Sequence, residues 1–122
     1  MKEKKLSLQT LDPSLRTAVE AARDKKAGDI IVLDLEGIAS FTDYFLVCSG
    51  TSHRQLATIA DEVEERLRKA KRRPSHVEGY PGGEWILMDY VDFIVHIFTP
   101  QSRAHYELER LWGDAKRLAV AS

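Results

Sequence analysis

Glu84-Trp85-Ile86-Leu87-Met88-Asp89-Tyr90-Val91-Asp92-Phe93-Ile94-Val95-His96-Ile97-Phe98 holds two apolar runs, Trp85 to Met88 and Phe93 to Phe98, on either side of a short polar segment. Asp89-Tyr90-Val91-Asp92 has the length of a hairpin turn, so the stretch predicts two adjacent antiparallel strands. Side chains alternate along a strand and cross-strand partners share a face. With no bulge in the turn, Asp89 pairs with Asp92, Leu87 with Ile94 and Trp85 with His96. One face then carries Trp85, Leu87, Asp89, Asp92, Ile94 and His96, and the other only Ile86, Met88, Phe93, Val95 and Ile97. The wholly apolar face belongs to the core, and the mixed face is the candidate working surface.

Upstream of the hairpin, Gly79-Tyr80-Pro81-Gly82-Gly83 is loop by its turn chemistry, and Ser75 to Glu78 is short enough for an edge strand. Before Pro74 the spacing of Leu56, Ile59, Ala60, Val63 and Leu67 predicts a helix. Ser52 with Gln55 three residues on fits a capping box at its start. Its acidic first half and its basic end, Arg66 to Arg73, suit the helix dipole. Ile30 to Leu35 and Tyr44 to Ser49 are β-branched or apolar runs of strand length, both read as buried. Asp12-Pro13 opens an earlier helix that runs to about Lys26, with Gly28 available for the left-handed terminating conformation. Downstream, Thr99-Pro100 caps a last helix carrying Tyr106, Leu108, Leu111 and Trp112, with Gly113 as its stop. The order is helix, two strands, helix, three strands, helix. This is an α/β domain, with a mixed five-stranded sheet and three main helices, over residues 11–113, between a loose tail at 1–10 and a C-terminal tail at 114–122.

The chain has 122 residues, of which 30% are charged and 43% hydrophobic, which fits one ordinary folded domain. The net charge of −1 announces no nucleic-acid binder in bulk. No run approaches a membrane span, and no signal-peptide block follows Met1, so a cytoplasmic location is expected. The single cysteine, Cys48, reads as a small buried hydrophobe, and one cysteine with four histidines makes a structural zinc site an improbable design. No metal or other cofactor is expected.

Several residue sets invite chemistry. Gly50-Thr51-Ser52 opens a helix, where free N–H groups attract anions, but it is neither a P-loop nor a dinucleotide fingerprint. A nucleotidyltransferase would place two carboxylates on a strand within about a dozen residues of such a turn. The carboxylates at that distance, Asp61, Glu62 and Glu64, lie on a periodic helix instead. Asp89 and Asp92 with His96 are a conceivable acid/base or metal trio, against which turn aspartates usually serve local hydrogen bonding and a lone strand histidine usually sits satisfied in the core. Arg68, Lys69, Lys71, Arg72 and Arg73 are candidate RNA-phosphate contacts, although a charged helix end is more often a solvated face. Trp85, Tyr80, Tyr90, Tyr106 and Trp112 are residue types that dominate protein–protein hot spots. Trp112 is also well suited simply to pack the last helix, whereas Trp85 shares its face with carboxylates and so cannot be wholly buried.

The combination Asp29-Ile30, Leu33-Asp34, Thr42-Asp43-Tyr44-Phe45, Ser49-Gly50-Thr51-Ser52, Arg54-Gln55, Glu78-Gly79, Trp85, Asp89-Tyr90, Asp92, His96, Phe98, Ser102-Arg103, Tyr106-Glu107-Leu108-Glu109 and Leu111-Trp112 resembles the ribosomal silencing factor S family, also called Iojap. The resemblance covers about residues 12–113. It implies a nucleotidyltransferase-like fold without that chemistry. It also implies a non-enzymatic protein that binds the large ribosomal subunit through its protein uL14, blocks joining with the small subunit and represses translation when nutrients are scarce. The surface implied for the ribosomal partner bears Trp85, Asp89, Tyr90 and Asp92, with Glu78 and Tyr80 beside it, and a homodimer through the same surface would compete with that partner. The rival reading is a nucleotidyltransferase-like enzyme using Gly50-Thr51-Ser52 with Asp89 and Asp92. The family usually has glycine where this chain has Val91, and a β-branched residue takes up positive φ at a cost of about 1 kcal/mol or more.

Overall fold

The computed structural model describes residues 6–79 and 83–121. Its elements are α1 (Pro13–Asp24), β1 (Gly28–Asp34), β2 (Tyr44–Ser49), α2 (His53–Lys69), β3 (His76–Glu78), β4 (Trp85–Asp89), β5 (Phe93–Phe98), α3 (Pro100–Tyr106), the short α4 (Leu108–Leu111) and β6 (Lys116–Ala119). One mixed sheet runs in the order β3-β4-β5-β2-β1-β6. Only β2 and β5, side by side at its centre, are parallel. The sheet has six strands rather than five because β6 pairs antiparallel with β1 inside the stretch expected to be a tail. β6 covers an edge of β1 that would otherwise present unpaired N–H and C=O groups. At the other terminus, Leu8–Thr10 forms a 3₁₀ turn, and Leu6 and Leu8 pack against the core within the stretch expected to be loose.

Alternation along the strands divides the sheet into two apolar faces. Ile30, Val32, Leu46, Cys48, Ile86, Met88, Phe93, Val95 and Ile97 meet α1 and α2 through Leu15, Val19, Leu56, Ile59, Val63 and Leu67. Leu33, Leu35, Phe45, Val47, Ile94 and Phe98 form the second cluster, with Trp85, Leu87, Leu108 and Trp112 packed on it partly buried. Burial pushes the Cys48 thiol up to about 12, which makes it a hydrophobe rather than a nucleophile.

The helix ends follow local chemistry. Asp12 accepts the Ser14 N–H and Thr99 accepts that of Ser102, each ahead of a first-turn proline. Ser52 accepts the Gln55 N–H as expected, but the Gln55 side chain accepts from the Thr51 N–H at 2.7 Å instead of closing a capping box. Its amide then donates to the Lys25 and Lys26 carbonyls, which ties the start of α2 to the end of α1. The left-handed residue ending α1 is Lys26 (φ 63°), not Gly28, and Lys71 (φ 63°) has the same place after α2. Both ends carry the paired bonds of a Schellman motif: Ala27 N–H to Ala22 O with Lys26 N–H to Arg23 O, and Arg72 N–H to Leu67 O with Lys71 N–H to Arg68 O. The expected single last helix is broken at Glu107 (φ 49°) into α3 and α4.

The hairpin register also differs from expectation. Trp85 lies opposite Phe98, Leu87 opposite His96 and Asp89 opposite Ile94. A Tyr90 N–H to Phe93 O bond closes the turn, so each residue of β4 meets a partner two positions further along β5. A shift of two preserves the faces, because the side-chain period is two. Asp92 leaves the strand face for the turn, and Asp89 and Asp92 do not pair.

Candidate functional site

The face of the sheet away from α1 and α2 carries the second cluster, on which Trp85, Leu87, Leu108 and Trp112 pack only partly buried. A line of rings crosses it. Tyr106 lies 4.5 Å from Trp85, Trp85 5.7 Å from His96, His96 4.4 Å from Phe45, Phe45 6.1 Å from Trp112 and Trp112 6.0 Å from Phe41. The inner rings are held by the sheet. The outer ones reach solvent: Tyr106 is 48% exposed and Phe41 56%, and nearby Leu111 is 70% exposed. Exposed apolar side chains at the two ends of the line, with buried Phe45 and His96 between them, are candidate contact points.

Trp85 is fixed rather than free. Its indole stacks on Phe98 with centroids 5.0 Å apart, and its Nε1–H donates to His96 Nδ1 at 3.1 Å. That bond leaves the imidazole proton on Nε2, which has no partner among the described residues. Burial lowers the His96 pKa to about 3, so the ring is neutral. Behind Trp85, Gly79 has φ +83°, and a Cβ there would lie 1.9 Å from the Trp85 carbonyl oxygen; only glycine lets the edge strand turn away so close to β4. In the same row of the sheet as Trp85, beyond Phe98, Arg103 donates from Nε to Glu109 and from Nη1 to Ser49, which clamps α3 and the start of α4 to the end of β2.

The expected partner-binding residues separate into groups. Glu78 lies opposite Leu87, and His76 opposite Asp89, so Glu78, Asp89 and Trp85 share the aromatic face. Asp92 is exposed at the turn beside it, while Asp89 is half-buried and accepts the Val91 N–H at 2.8 Å. Asp89 and Asp92 therefore do not converge on one point, as a two-metal or acid/base pair requires. Tyr90, expected on the partner surface, lies in the core instead. Its ring points to the α1–α2 side, 1% exposed and stacked on Phe93, and burial together with the Glu64 carboxylate pushes its hydroxyl up to about 12. Tyr90 follows directly on β4 and has opposite parity to Trp85 and Asp89, which is why it turns inward. Tyr80 lies outside the described residues.

The basic run sits on the opposite side of the sheet, at the end of α2. Arg68 and Lys69 both pair with Glu65, at 2.5 and 3.9 Å. Arg72 is turned inward, donating to Ser14 Oγ and to the Tyr90 carbonyl with Phe93 beneath it. Lys71 and Arg73 are exposed. The five cations do not form one outward-facing strip. Phe41 and Phe45 were absent from the aromatic set expected from sequence; their signal was the Phe41-Thr42-Asp43-Tyr44-Phe45 run just before and within the second strand.

A mixed six-stranded sheet with α1 and α2 on one side and an aromatic, carboxylate-edged face on the other defines a small α/β domain. The chain belongs to the ribosomal silencing factor family: the family model described as "Ribosomal silencing factor during starvation" matches residues 8–122. It is 42% identical over 101 residues to the ribosomal silencing factor RsfS of Bacillus subtilis, covering 83% of this chain and 86% of that protein. It is 32% identical over 97 residues to the mouse protein named mitochondrial assembly of ribosomal large subunit protein 1, covering 77% of this chain and 42% of the longer relative. A crystal structure of a Chromobacterium violaceum protein superimposes with a TM-score of 0.81 at 33% identity, over 96% of this chain and 95% of that one.

Proposed function

We propose that this chain binds the large ribosomal subunit through its protein uL14, using the aromatic face around Trp85, and represses translation by keeping the small subunit from joining. The observation that carries the reading is the fixed Trp85, half-buried between Phe98 and Tyr106, with Asp89 and Glu78 on the same face. An anchored indole loses little entropy on binding, and carboxylates around it complement the basic surface of ribosomal proteins. Membership of a silencing family, and a mouse relative named for large-subunit assembly, support the choice of partner. Asp92 extends the acidic border, Tyr80 stays a candidate on sequence grounds, and the exposed Lys71 and Arg73 are the candidates for an rRNA contact on the other side. Tyr90 acts from within, by packing under the turn. A second copy docking on the same face would compete with the subunit.

Co-sedimentation of purified protein with large subunits tests this directly. Wild type pellets with the subunit, and Trp85→Ala, shown to be folded by circular dichroism, stays in the supernatant. A folded Trp85→Ala that pellets like wild type would remove the indole from the interface.

A further inference from the structure

Val91 occupies the centre of a three-residue turn. Its φ is +74°, and the Asp92 N–H bonds to the Tyr90 carbonyl at 2.9 Å, the pattern of the positive-φ γ-turn, a rare and strained form. For a β-branched residue this is an outlier. The surroundings impose it from several directions. Asp89 accepts the Val91 N–H, the Thr42 hydroxyl donates to the Val91 carbonyl at 2.9 Å, the Asp43 N–H donates to the Asp92 carbonyl at 3.0 Å, and Arg72 donates to the Tyr90 carbonyl. Thr42 is itself buried. Nothing in the interior needs the valine side chain, which is 61% exposed.

A glycine would hold the same turn without strain. The chain instead displays an isopropyl group at the hairpin tip, with exposed Asp43, exposed Asp92, which pairs with Arg72 at 3.8 Å, and half-buried Asp89 around it. Strain that the neighbouring structure over-determines is characteristic of residues that contact a ligand. We infer that Val91 is an affinity- and specificity-determining contact for the ribosomal partner, an apolar tip that enters a cation-rimmed hollow on the basic ribosomal protein. The inference rests on the functional reading above and deepens it: the Asp89 end of β4 joins the Trp85 face to this tip, so one partner can cover both.

The test exploits two effects of opposite sign. Val91→Gly relieves the strained φ and removes the side chain, Val91→Asn tolerates the conformation but is polar, and Val91→Ile keeps an apolar tip. Affinity for large subunits is measured by sedimentation at fixed ionic strength, with a thermal melt of each variant. The expected result is that Val91→Gly melts a few degrees higher yet binds about tenfold more weakly, Val91→Asn also binds weakly, and Val91→Ile binds like wild type. A Val91→Gly protein that is more stable and binds as tightly as wild type would overturn the inference while leaving the Trp85 reading intact. A wild type that does not bind large subunits at all would overturn both.

Discussion

Trp85 and His96 are coupled through one proton. Nδ1 of the imidazole accepts the indole N–H, so a proton arriving there abolishes the acceptor and releases the ring that anchors the proposed contact face. Burial opposes that protonation, lowering the pKa from 6.5 to about 3. The folded pKa lies below the unfolded one, so the unfolded chain takes up the proton first. The stability contributed by the neutral ring is whole above about pH 6.5 and declines as the pH falls toward about 3. NMR of the imidazole checks this: His96 stays neutral, with its proton on Nε2, at about pH 5, whereas an ordinary histidine is charged there. A His96 midpoint between about 6 and 7 would contradict the assigned burial and hydrogen bond. The neighbourhood of Trp85 and His96 on one face was visible in the sequence; the geometry of their contact was not, because spacing set them directly opposite whereas the register places Trp85 opposite Phe98 and makes His96 its diagonal neighbour.

At the scale of the elements, α1 and α2 end alike, each with a lysine in the left-handed conformation where glycine is the common solution. A side chain pays about 1 kcal/mol there. Lys26→Gly and Lys71→Gly should therefore each raise stability, by roughly 0.5–1 kcal/mol in denaturant melts, with the Schellman bonds kept. A loss of stability in either would mean that the lysine side chain makes a contact that outweighs the strain. These two helices were legible from their apolar spacing and their Asp12 and Ser52 caps, which are signals local in sequence. The hairpin and its two faces were legible too. The γ-turn was not, since its conformation is imposed by Thr42, Asp43 and Arg72 from distant parts of the chain. The break at Glu107 was hidden because helical spacing continues from Tyr106 through Leu111.

Across the whole molecule, the sheet closes on β6, whose sequence Lys-Arg-Leu-Ala holds a single large apolar residue, Leu118, packed toward the α1–α2 core. That weak alternation is why residues 114–122 read as a tail. Truncation before Lys116 removes the β1–β6 ladder and uncovers the β1 edge. The truncated protein should melt lower and self-associate in size-exclusion chromatography, as an open edge invites pairing. An unchanged melt and a monomeric profile would mean that β6 contributes nothing to closure. The geometry of the candidate face was legible in part: Trp85 and Asp89 were expected on one face and share it, Glu78 was expected beside it and lies on it, and Asp92 was expected on it but sits in the turn. Tyr90 was misplaced by parity and Arg72 by its inward reach. The central claim is that a fixed aromatic face excludes the small subunit. It is tested most directly by mixing purified small and large subunits with increasing protein and resolving them on a sucrose gradient. Wild type should deplete the joined particle in a dose-dependent way, folded Trp85→Ala should not, and joining left unaffected by saturating wild type would contradict the account.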